Sequence, residues 1–105
     1  MPIDQVRSGE AGAGESLTFD DTAGGVGFTT SNITVGSVEA GKAVFVLEGG
    51  QCRFTVDGTT VTTTVGTLIE IGDIVTIDGA SDVKRFKAIR TGSTSGTAFV
   101  TYFRE

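Results

Sequence analysis

GKAVFVLEGGQCRFTVDG, residues 41–58, decides the fold. Its first ten residues are mostly apolar and rich in Val and Phe, the composition of a strand covered on both faces, and they stop at the turn pair Gly49-Gly50. The remainder alternates strictly. Cys52, Phe54 and Val56 share one face, and Arg53, Thr55 and Asp57 share the other. The two runs together predict a β-hairpin. Asp57-Gly58 then closes a turn, because Gly accepts positive φ and the Asp side chain can bond the backbone ahead of it.

The same grammar extends in both directions. Downstream, residues 59–64 hold five threonines around Val61, followed by TLIEIGDIVTIDG, residues 67–79, which predicts a second hairpin-like or kinked pair about Gly72-Asp73. VKRFKAIRTG, residues 83–92, and GTAFVTYFRE, residues 96–105, continue the alternation, the latter with Ala98, Val100 and Tyr102 against Phe99, Thr101 and Phe103. Upstream, Leu17 and Phe19 alternate with polar neighbours and predict a short edge strand before Gly24-Gly25, while Phe28 and Ile33 lie among turn-forming Thr, Ser and Asn. Residues 1–14 are polar, small and glycine-rich, which predicts a flexible or partner-dependent arm. The expected organisation is an N-terminal arm over residues 1–25 and one domain over residues 26–105. The fold class is all-β: an antiparallel β-sandwich, jelly-roll or immunoglobulin-like, with an extended N-terminal arm.

Size and charge bound the function. A chain of 105 residues is one small domain with a modest core, and self-association would bury surface that it cannot bury alone. A net charge of −5 argues against direct nucleic-acid binding, which needs clustered Lys and Arg. No apolar run approaches the roughly 20 residues that span a bilayer, and MPIDQVRSGE lacks the features of a signal peptide, so a product made in a reducing cytoplasm is expected, with no membrane partner. The lone Cys52 reads as a small buried apolar group without an activating base.

Catalytic equipment is sparse. The chain has no histidine, which removes Ser-His-Asp triads, Cys-His dyads and histidine metal sites. EIGDIVTI, residues 70–77, resembles the glycine-aspartate turn of cupin barrels, but a catalytic cupin needs histidines around its metal, so a plain turn is expected. Asp20, Asp21, Glu70, Asp73, Asp78 and Asp82 show no pairing across a cleft, and Asp57 and Asp78 lack the alternating acids of a calcium loop. A carbohydrate-binding adhesion module is the rival class. It would lean on aromatic platforms, whereas tryptophan is absent, Tyr102 is the one tyrosine, and the seven phenylalanines are expected in the core. No cofactor or metal and no enzymatic activity are expected.

RFTVDGTT (53–60), TVG (64–66) ahead of Leu68-Ile69, Gly72-Asp73 before a short strand, FKAIRTG (86–92) and VTYFR (100–104) occur in an order and spacing that resembles small virion structural proteins of tailed bacteriophages, over roughly residues 26 to 104. Val61 and Thr67 depart from that pattern, in which proline and histidine are frequent. The resemblance implies a non-enzymatic virion component, most of all a head decoration or cement protein, with a tail, neck or fibre part as the alternative. It further implies major capsid protein or other virion subunits as partners, and a homo-oligomer, with a trimer favoured. The expected contact residues are Ile3 and Val6 in the arm, Thr62, Thr63 and Thr64 in the threonine run, and Lys84, Arg85 and Lys87 on a basic strand, whose bland reading is a solvated face.

Overall fold

The computed structural model describes residues 10–35 and 38–104. Its elements are β1 (Glu10–Phe19), α1 (Thr30–Ile33), β2 (Thr34–Val35), β3 (Val38–Val46), β4 (Cys52–Thr55), β5 (Thr67–Ile69), β6 (Ile74–Asp78), α2 (Ala80–Arg85), β7 (Lys87–Arg90) and β8 (Gly96–Arg104). The strands form two antiparallel sheets. The larger runs β1-β8-β3, with β6 and the short β2 both paired to β3. The smaller runs β5-β4-β7. An extended segment at Val26 completes the smaller sheet beside β7, exchanging backbone bonds of 2.8 and 3.0 Å with Ala88.

The pairings nest inside one another. β1 lies on β8, the Val26 segment on β7, β3 on β6, and β4 on β5. A long hairpin rolled up on itself gives this order, the double Greek-key winding of a jelly roll. The expectation of an antiparallel sandwich is met, and of its two named forms the winding is the jelly roll.

One local expectation changes and two are refined. Residues 41–58 do not make a hairpin: β3 and β4 belong to different sheets, and Gly49-Gly50 is where the chain crosses between them. A hairpin and a sheet crossing share one local pattern, two apolar runs around glycines, and differ only in which strands lie alongside. Residues 67–79, expected as a hairpin-like or kinked pair, take the kinked form, with β5 in the smaller sheet and β6 in the larger. Gly72, at φ 94°, donates to the Leu47 carbonyl at 2.8 Å, and the Asp73 carboxylate accepts from the Glu70 amide at 2.9 Å. The short edge strand expected at Leu17 and Phe19 is present and longer, running through residues 10–19 as β1. Its alternation carries Phe19 into the core with no exposed surface, because β8 supplies backbone partners from Gly96 through Arg104.

The core fills the space between the sheets. Phe86 touches Phe19, Phe28, Phe45 and Phe54 at ring-centroid distances of 6.0, 4.3, 5.8 and 5.6 Å, and Tyr102 meets Phe28 edge-on at 5.3 Å. Among the described residues no polar or charged residue is buried. Five of the seven phenylalanines serve this core, and Phe99 and Phe103 do not. They alternate with the inward Val100 and Tyr102 and so lie on the outer face of β8, where Lys42 covers the Phe103 ring at 5.2 Å.

Candidate functional site

The threonine run lies across the smaller sheet as a strap. Its anchor is Val61, which is 1% exposed and sits against Gly25 and Gly66. A Cβ at Gly25 would come within 2.6 Å of the Val61 side chain, and Gly25 also holds φ 88°, so glycine is required twice over. Arg53, outward on β4, donates from Nε to the Thr63 carbonyl at 3.1 Å and from Nη1 to the Gly66 carbonyl at 2.9 Å. At the leading end, Asp57 Oδ1 accepts from the Thr59 amide at 3.0 Å, and the Thr55 hydroxyl donates to the Thr59 carbonyl at 2.7 Å. Truncating the anchor with Val61→Ala is expected to lower stability by about 2 kcal/mol, read as a shifted midpoint in chemical denaturation. A change under about 0.5 kcal/mol would mean that the strap merely rests on the sheet.

The proposed contact residues divide on inspection. The Thr62 hydroxyl accepts from the Thr64 and Val65 amides at 3.2 and 3.0 Å and is spent on its own turn. Thr63 and Thr64 are exposed. Lys84 and Arg85 are not on a strand. They end α2, whose Val83 is buried, in the last turn where cations complement the helix dipole. A helix forms there because residues 80–85 carry one apolar anchor among good turn and helix formers rather than a period of two. Lys84 pairs with Glu39, and Arg85 Nη2 donates to the Ser81 hydroxyl at 2.8 Å. Lys87 opens β7 and is exposed. Arg90, the fourth basic residue of this stretch, reaches Ser95 and Asp21 at 3.1 and 3.4 Å. Ile3 and Val6 lie outside the described residues. Arg85 and Lys87 share a cleft with Thr59 and Thr60 at the start of the threonine run, and Thr62, Thr63 and Thr64 do not line it.

A further surface escaped the sequence reading. On the outer face of the larger sheet, Phe99 of β8, Val46 of β3 and Ile74 of β6 are 63, 43 and 74% exposed. Val46 and Ile74 are register partners, and Phe99 borders the same shallow depression as Val44 and Val46. The three make an apolar row across adjacent strands, and Ile71, in the turn before β6, is exposed as well. The signal was present in β8, where large apolar residues occupy both faces. The composition cannot say which face is inside.

One polar cluster ties β1 to the rest. Glu15 accepts from Tyr102 Oη, from Thr29 Oγ1 at 2.6 Å and from the Thr29 amide at 3.0 Å. Burial alone would raise the Glu15 pKa, but the hydrogen bonds from Thr29, Tyr102 and Asn32 together hold it below its ordinary value of 4.5. Burial and the adjacent carboxylate keep the Tyr102 phenol protonated far beyond its usual range. The depressed carboxyl contributes stability that is present above its unfolded pKa and lost as pH falls through the folded one. Glu15→Gln is therefore expected to flatten the acid limb of a stability profile below about pH 4.5, measured as melting temperature against pH. An unchanged acid limb would show that other carboxylates govern it.

Among the described residues no three His, Cys, Asp or Glu side chains converge to hold a metal ion. Cys52 is buried, its thiol pKa is raised by burial, and its Sγ lies 3.5 Å from the Gly50 carbonyl. No helix among the described residues is long and apolar enough to cross a membrane. No protein-family model matches the chain, and neither a curated protein nor a solved structure is significantly similar to it.

Proposed function

We propose that this protein is a non-enzymatic structural subunit of a tailed-bacteriophage virion, acting as a head decoration protein that binds and stabilises the capsid as a homo-oligomer, with a trimer favoured. The observation that carries the reading is the apolar row of Phe99, Val46 and Ile74 on a sheet whose other face already packs a filled core. A domain of 105 residues that leaves such side chains in water gains by covering them with another subunit. The sequence resemblance to small virion proteins supplies the kind of assembly. Jelly rolls also serve lectins and cupins, so the winding by itself does not choose among these roles.

The test is to count the protein in particles of the phage that encodes it, by quantitative mass spectrometry, and to remove it. Hundreds of copies per particle, with depleted heads that rupture or lose DNA at lower temperature, support the decoration role. A handful of copies would move the protein to the tail or neck. Equal robustness of depleted heads, or failure only at adsorption to cells, would overturn the capsid role. Phe99→Lys and Ile74→Lys test the surface: each should empty the particle of this subunit while the purified domain keeps its melting temperature.

A further inference from the structure

Between the strap and the start of β7 lies an open cleft of about 320 Å³, lined by Gly24, Gly58, Thr59, Thr60, Arg85 and Lys87. We infer that this cleft binds a tetrahedral oxyanion of the phosphate class. Three separate segments build it: the turn at residues 22–25, the turn at residues 57–60, and the junction of α2 with β7. Its two charged lining residues are both cations, on a chain whose net charge is −5. Such a local reversal of sign draws anions to one place.

The cations here are the available ones. Lys84 is committed to Glu39, Arg90 to Asp21 and Ser95, and Arg53 to two carbonyls of the strap. Lys87 pairs with no carboxylate among the described residues, and Arg85 donates only from Nη2, to Ser81. The remaining guanidinium donors, the ammonium of Lys87 and the hydroxyl of Thr60 offer directional bonds to several oxygens of one anion. Gly24 and Gly58 leave open space where a side chain would stand, so a ligand can approach the backbone closely at both turns. Asp57 is the opposing influence. Its carboxylate is held by the Thr59 amide and side chain and feels the Arg85 charge, which together lower its pKa. A dianion fits better than a single carboxylate, because it must outcompete Asp57 for Arg85 while also engaging Lys87.

The experiment is a titration of the full, isotopically labelled chain with inorganic phosphate at constant ionic strength, followed by amide NMR shifts. Saturable shifts are expected at Gly24, Gly58, Thr59 and Thr60. Arg85→Ala and Lys87→Ala should each weaken the response roughly tenfold, the value of one charge-assisted bond. Asp57→Asn should tighten it, an effect with no counterpart in a merely structural role. Thr60→Val, at an exposed position, provides a milder variant should a charge removal disturb the fold. The inference is overturned if phosphate produces no saturable shift, or if the Arg85→Ala/Lys87→Ala double variant responds like the parent chain. It is also overturned if a glutamate-rich peptide saturates the same amides at lower concentration than phosphate, which would assign the cleft to an acidic protein surface. The outcome is independent of the capsid test, because it needs no particle.

Discussion

Replacing Phe86 with alanine is expected to destabilise the domain by about 3–5 kcal/mol, seen as a large fall in the midpoint of the cooperative thermal transition. Phe86 has no exposed surface and its ring meets four others, Phe19, Phe28, Phe45 and Phe54. Truncating a buried Phe costs about 3–5 kcal/mol, and a small domain holds only about 5–15 kcal/mol in all. The position is hard to repair by collapse. Phe86 is the hinge between α2 and β7, and its ring stacks on Phe28 at 4.3 Å with an interplanar angle of 2°. Filling the void would require the chain to move on both sides of that stack. Phe86→Leu separates volume from shape: it should retain a cooperative transition at reduced midpoint, by about 1–2 kcal/mol. A Phe86→Ala variant that melts within a few degrees of the parent would show that the aromatic cluster does not govern stability.

Gly50→Ala is expected to cost on the order of 3 kcal/mol, more than a methyl group usually does, because the new carbon has nowhere to go. Its position lies 2.1 Å from the Thr94 carbonyl oxygen and 3.3 Å from the Ser95 carbonyl carbon, all of it backbone. The clash falls where the chain passes from β3 in the larger sheet to β4 in the smaller, against the turn that enters β8. Relief would need the β7–β8 turn to withdraw, stretching the Thr97 and Glu48 exchange of two 2.8 Å bonds. Gly58→Ala is the comparison: it meets nothing within 4 Å and is penalised only for its φ of 89°, so it should lose about 1 kcal/mol. Equal losses at the two positions in a denaturation series would refute close packing at the crossing.

What could be read from the sequence was periodicity, and what could not was adjacency. The alternation of Cys52, Phe54 and Val56 against Arg53 and Thr55 correctly names a strand and its faces, and Asp57-Gly58 correctly names a turn. Nothing local distinguishes a strand that folds back on its neighbour from one that crosses to the facing sheet, so the apparent hairpin of residues 41–58 dissolves into two separate ladders. The basic residues at 84 and 85 were misplaced onto a strand because a six-residue helix has too few positions to express a period of 3.6. The function of the threonine run was half legible. β-branched hydroxyl residues suit a solvated strap, but its anchor is the one non-threonine, Val61, and the groups that hold it are Arg53 and Gly25 from two other segments and Gly66 at the strap's own end. The exposed row of Phe99, Val46 and Ile74 was hidden for the same reason as the winding, since its members are neighbours only across strands.

The nesting of the ladders has a consequence for how the molecule is made. Glu10 near the start of β1 lies opposite Arg104 at the end of β8, and the central strand β3 is flanked by β6 and β8, both later in the chain. The larger sheet therefore has no complete nucleus while the last strand is still inside the ribosome, and closing such distant pairs makes the search slow. During that interval Phe19, Phe45 and the outer residue Ile74 are open to solvent in the growing chain. Synthesis at high rate should favour clumping over folding, and slower synthesis at lower temperature should restore recovery of native protein.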